Sequence, residues 1–92
     1  MNRLPPDLLH RLRNHADLVL VLARLGVPIK QHGERFSFSC PVCITRDATS
    51  IPGKNLAYCF QCRRSFNPID LVIAFRGLSF MDAVELLKPF LG

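Results

Sequence analysis

The chain has 92 residues, 49% of them hydrophobic, and its 12 Lys and Arg against 7 Asp and Glu leave a net charge of +5. That length fits a single domain, residues 1–92, near the lower limit for a chain that must stabilise its own core, where a bound metal helps. Leu18 to Leu25 is apolar but carries Arg24 and is too short for a signal core or a membrane span, so the sequence predicts a cytoplasmic protein with no membrane partner.

Pro5, Pro6 and Asp7 predict a helix start, because proline is tolerated at the first helical position and an acid suits the positive end of the dipole. Leu8, Leu9 and Leu12 then form an apolar stripe with Arg11 and Arg13 outward. Asn14 to Asp17 is a break with capping residues, and Leu18, Val19, Leu22 and Leu25 predict a second short helix that Gly26 ends. After Pro28 the pattern turns strand-like. Val27, Ile29 and Arg35 to Ser39 flank a turn at His32-Gly33, and Phe36 and Phe38 share one side of a strand. Ser50-Ile51 and Leu56 to Tyr58 predict short strands joined by the turn Pro52-Gly53-Lys54-Asn55. Beyond Cys62 the pattern is helical. Asn67-Pro68-Ile69-Asp70 starts one helix that Gly77 stops, and Ser79-Phe80-Met81-Asp82 starts the last, with Val84, Leu86 and Leu87 inward. The expected fold class is α+β: a small antiparallel β-sheet flanked by N-terminal and C-terminal helices.

All the cysteines fall into two pairs, Cys40-Pro-Val-Cys43 and Cys59-Phe-Gln-Cys62, with fifteen residues between them. A two-residue gap lets a tight turn aim two sulfurs at one point. The longer gap accommodates a strand, a turn and a returning strand, which bring the second pair opposite the first. Four thiolates around one point suit a single structural Zn²⁺. Two disulfides, a redox dithiol pair or iron in the same cage are the competitors, and a reducing compartment disfavours disulfides. His10, His15 and His32 are not needed as ligands.

On this framework the chain resembles the zinc-binding domain of DnaG-type bacterial and phage DNA primases, the CHC2 zinc-finger family. Three stretches carry the resemblance: Ala16-Asp17-Leu18-Val19 through Lys30–Phe36 to Cys40-Pro41; the knuckle Tyr58–Cys62; and Ile69-Asp70-Leu71-Val72 with Gly77–Phe80 and Ala83–Leu86. Departures are visible too. The family's second ligand is usually histidine, where this chain has Cys43. A typical Thr-Pro-Ser-Phe segment appears as Ala48-Thr49-Ser50-Ile51, and glycines usual after the last ligand are replaced by Arg63, Arg64 and Phe66.

The resemblance implies a module that contacts single-stranded DNA template and helps select the primer start site, with a primase catalytic domain and a replicative helicase as further partners. Its basic charge fits that reading, because phosphates dominate nucleic-acid affinity. Lys30, Arg35, Arg46, Lys54, Arg63 and Arg64 are the candidate phosphate contacts, and Tyr58 or Phe60 could stack on an unpaired base. The arginines beside the cysteines could instead offset the excess negative charge of a Cys₄ site. Asp7, Asp17, Asp47, Asp70 and Asp82 are isolated, so no catalytic acid cluster is expected and the chain alone should not be an enzyme. A stand-alone zinc-ribbon adaptor docking a replication protein through Leu86, Leu87, Phe90 and Leu91 is the alternative, and rubredoxin-like electron transfer is a third reading.

Overall fold

In the computed structural model, which describes residues 5–44 and 46–91, the Pro5-Pro6 pair starts helix α1, Pro6–His15. Leu12 is its one fully buried side chain. The chain turns at Ala16, and the Asp17 carboxylate accepts the Val19 N–H at 2.8 Å to cap α2, Leu18–Arg24. Leu18, Val21 and Leu22 face inward. Val19, expected on that face, is exposed, because a helix entered at Leu18 buries the i, i+3, i+4 positions instead.

A five-stranded antiparallel sheet follows in meander order: β1 Lys30–His32, β2 Arg35–Ser39, β3 Asp47–Ser50, β4 Ala57–Cys59 and β5 Arg64–Phe66. The β1–β2 loop is Gly33-Glu34, one residue later than the sequence predicts, and Gln31 Nε2 braces it by donating to Gly33 O at 2.9 Å. The β3–β4 turn closes with Lys54 N–H donating to Ile51 O at 3.1 Å. Pro52 and then Gly53, at φ +77°, occupy its central positions, as a turn needing positive φ at the third residue demands. Two expectations are corrected here. Strand β3 begins at Asp47, not Ser50, and Ile51 lies outside it. Arg64–Phe66 forms a fifth strand where the sequence pattern predicts helix, because the second cysteine turn folds it back onto β4.

Helix α3, Pro68–Arg76, opens with a full capping box. Asn67 Oδ1 accepts Asp70 N–H at 2.9 Å and Asp70 Oδ2 accepts Asn67 N–H at 3.1 Å. Gly77 ends the helix in the left-handed region, which an L side chain would resist. Ser79 caps α4, Phe80–Leu87, and a 3₁₀ turn, Lys88–Leu91, follows. The α+β class expected from the sequence, with helices at both ends of the sheet, is the observed one.

Two apolar clusters form the interior. Phe38, Ala48, Ala57, Cys40, Cys59 and Phe66 line one face of the sheet, covered by Leu18, Leu22 and Leu71. Leu12, Val21, Ile69, Val72, Val84 and Leu87 make a second, wholly helical cluster. Helices α2 and α3 contribute to both and so form the wall between them.

Candidate metal centre and nucleic-acid face

Each cysteine pair spans the end of a strand and a tight turn. Cys40 follows β2 and Cys59 ends β4, so both are buried; Cys43 and Cys62 sit on the turns and are half-buried. In the first turn, Ile44 N–H donates to Cys40 O at 3.1 Å, Cys40 N–H to Arg46 O at 3.0 Å, and Val42 N–H points at Cys40 Sγ from 3.4 Å. The residue after the second cysteine of each pair has positive φ, +66° at Ile44 and +55° at Arg63. Neither is glycine, and a β-branched residue there is strained. The two turns are thus built alike.

Cys40 Sγ lies 3.7 Å from Cys62 Sγ, Cys43 Sγ lies 3.7 Å from Cys59 Sγ, and all four sulfurs fall within 4.8 Å of one another. Zn–S bonds of about 2.3 Å meeting at the tetrahedral angle put sulfurs about 3.8 Å apart. A disulfide needs about 2.05 Å, so the cysteines are free thiols arranged for a metal. Among the described residues no histidine or carboxylate joins the group. The donor set and its spacing fit one structural zinc.

The thiols do not ionise alike. Burial pushes Cys43 up, but the Arg46 backbone and the Cys62, Cys59 and Cys40 thiols hydrogen-bond its thiolate and bring it down to about 6. Burial pushes Cys62 up, and the other three sulfurs add to that, taking it to about 12. Of these two, Cys43 is therefore the readier thiolate in the metal-free cage. Backbone N–H groups and the neighbouring thiols supply the hydrogen bonds to sulfur; among the described residues no arginine side chain does.

The remaining candidates separate by position. Cross-strand pairing sets Lys30, Ser37, Thr49, Tyr58 and Ser65 in one row across all five strands, on the face opposite Phe38 and Phe66. Arg35 shares that face, and Phe60, at 78% exposure, extends it past β4. Tyr58 and Phe60 form an edge-to-face pair with centroids 4.8 Å apart, and with Arg35, Thr49, Ile51 and Pro52 they line a groove of about 120 Å³. Arg46 lies beside Phe60 across a second hollow, shared with Asp47 and Gln61. Lys30 Nζ is 3.6 Å from the Asp47 carboxylate, an exposed pair of small energetic weight. Phe36 and Phe38, by contrast, stack at 6.3 Å on the core face.

Three candidates lie away from this row. Arg64 pairs with Cys59 on the core side, its guanidinium 5.7 Å above the Phe66 ring. Arg63 is exposed on the second cysteine turn. Lys54 is in the β3–β4 turn, next to Asn55. Asn55, read from sequence only as a turn residue, does more. Its Nδ2 donates to Ala16 O at 2.6 Å and to Arg13 O at 3.1 Å, while its Oδ1 accepts Leu18 N–H at 3.3 Å. One side chain thus ties the α1–α2 junction to the sheet. A lone asparagine after Gly-Lys gives no sequence signal for that role.

Fold and cage together define a small α+β zinc-ribbon protein with a four-cysteine site. Residues 4–92 match the family model for the CHC2 zinc finger, the DnaG-type zinc ribbon, and the chain belongs to that family. It is 29% identical over 87 residues to a DNA primase of Listeria monocytogenes, a match covering 92% of this chain and 14% of that protein. A DNA primase of Neisseria meningitidis is 30% identical over 91 residues, 97% of this chain and 15% of the relative. One from Helicobacter pylori is 34% identical over 79 residues, 84% of this chain and 14% of the relative. The chain therefore spans about one-seventh of the primases it resembles. Among the described residues no helix is long and apolar enough to cross a membrane.

Proposed function

We propose that this chain is a zinc-dependent DNA-binding module of a primase, which holds single-stranded template on the outer face of its sheet and helps select the primer start site. Cys40, Cys43, Cys59 and Cys62 are the zinc ligands. When bound, the ion cross-links the ends of β2 and β4 and so fixes the strands whose outer residues meet the template. Tyr58 and Phe60 offer aromatic faces to unpaired bases, and Lys30, Arg35 and Arg46 meet the phosphates around them. Arg63 extends this positive rim, and Arg64 divides its charge between solvent and the Phe66 ring. The reading includes a cytoplasmic setting, no catalysis by this chain alone, and a primase catalytic domain and replicative helicase as partners.

The carrying observation is the Tyr58–Phe60 pair, half-buried Tyr58 against exposed Phe60, on the same face as two cations and next to the cysteine cage. A phenylalanine at 78% exposure gains little from burial in the fold, whereas base stacking is worth about 1–3 kcal/mol per base. Titration of labelled single-stranded DNA into the zinc-loaded protein at two salt concentrations tests the reading. Affinity should fall with added salt, and Tyr58→Ala with Phe60→Ala should weaken it while zinc content stays the same. Binding that ignores both salt and the two rings would refute it.

The adaptor alternative finds little support in the packing. Leu87 is fully buried, and Leu86, Phe90 and Leu91 pack against the helical cluster, so the proposed docking surface is occupied from within.

A further inference from the structure

The β3–β4 turn has two sides. Ile51 and Pro52 border the groove that holds Tyr58 and Phe60. Gly53, Lys54 and Asn55 border a different and larger cleft, about 520 Å³, which the end of α1 with Arg13 and the start of α3 at Asn67 also line. Arg13 and Lys54 are distant in sequence and come from separate elements. Asn55 holds those elements together by donating to the backbone of Arg13 itself (3.1 Å) and of Ala16 (2.6 Å). No acidic side chain lines the cleft, and among the described residues neither Arg13 nor Lys54 is in an ion pair. Asn67 Oδ1 is taken by Asp70 N–H, which leaves its amide N–H₂ to donate. Asp70, the nearby carboxylate, is engaged in turn with Asn67 N–H.

We infer that this cleft is a second phosphate-binding site, in which Arg13 and Lys54 hold the backbone of single-stranded DNA that has crossed the Pro52–Asn55 turn from the sheet face. The inference rests on the template-binding reading and extends it. It adds Arg13, which composition and spacing left as an outward helix residue, and it gives Lys54, which lies away from the sheet row, a contact of its own. Two cations lining one cleft, with an amide donor in the same lining and no competing carboxylate, suit a phosphodiester chain. The contact is independent of base sequence, since only phosphate is recognised.

An oligonucleotide length series separates the two sites. The zinc-loaded protein is titrated by fluorescence anisotropy with oligothymidylates of increasing length, each at several salt concentrations. Affinity should rise in a second step once the strand is long enough to pass the turn. Arg13→Ala with Lys54→Ala should abolish that second step and leave the shortest oligonucleotides bound as before. Because two phosphates are then no longer neutralised, the slope of log affinity against log salt for long strands should become shallower by about 1.4. Both residues are exposed, so the double variant should keep its thermal midpoint, and Lys54→Gln alone should lose part of the same effect. A double variant indistinguishable from the parent at every length overturns the cleft. Tyr58→Ala with Phe60→Ala supplies the other arm. If that variant binds short strands unchanged while the Arg13 and Lys54 variant loses long ones, the sheet-face reading fails and the cleft stands.

Discussion

The two halves of the interior are held by different means. The helical cluster is built from large aliphatic side chains, Leu12, Val21, Ile69, Val72, Val84 and Leu87, and its helices carry side-chain caps at Asp17, Asn67 and Ser79. Burying each of those side chains contributes about 1.5–3 kcal/mol. The sheet cluster has Phe38 and Phe66 as its large fully buried residues from the strands, with Phe36 half-buried against them, alongside Ala48, Ala57 and the cysteines. Three of its five strands have three residues each, too short for a sheet to stand on ladder bonds alone. One half is stabilised by ordinary packing, and the other relies on the cage. The sulfurs thus substitute for core volume where the strands are small.

Metal removal should divide the halves most sharply. Structural zinc in small ribbons is worth about 10–16 kcal/mol, and its loss is felt by whatever it cross-links. A chelator, or Cys59→Ser, should abolish amide protection in the strands before it affects α1, α3 and α4, as followed by hydrogen exchange. Simultaneous loss everywhere, or none, would break the distinction. Acid should act in the same direction as chelation. Cys62 holds its proton up to about 12 in the metal-free cage, so zinc must displace that proton, and falling pH favours its return. In the metal-free protein acid acts in the same sense through Cys43. Its thiol, depressed to about 6 from an ordinary 9.0, adds stability at high pH that is lost as pH falls through 6. Thiolate absorbance should therefore appear first near pH 6 and remain incomplete above pH 9.

A cut in the helical half gives the next largest effect. Leu12→Ala should cost about 2–5 kcal/mol by opening a cavity, read from urea unfolding, with zinc stoichiometry unchanged in the folded protein. Asn55→Ala tests the tie between the halves. It strands the Leu18 N–H and the Ala16 carbonyl and should cost about 1–3 kcal/mol, lowering the thermal midpoint of both halves together. The smallest change concerns the cysteine turns. Ile44→Gly relieves about 1–2 kcal/mol of left-handed crowding, set against about 0.5–1 kcal/mol of extra freedom in the unfolded glycine. Ile44 is 73% exposed, so little packing is lost and a small net stabilisation should appear in the sheet half alone. Destabilisation by Ile44→Gly would mean that the isoleucine side chain packs against a neighbour after all.

Much of this chain is written in local chemistry. The helix starts at Leu18, Pro68 and Phe80 follow from side chains that satisfy free N–H groups within three positions, the start at Pro6 from proline's fixed φ, and the cysteine spacing needs only two turns to be understood. Those features depend on neighbours in sequence, so the sequence determined them. It could not give β5, whose three residues have no alternation to read and become a strand only because β4 offers an open edge. Nor could it show that Tyr58 and Phe60 share a face with Lys30 and Arg35, that Asn55 reaches back across 39 residues to Ala16, or that Arg13 and Lys54 line one cleft. Strand register and helix docking decide these, and both are set by how two cores close against a shared wall.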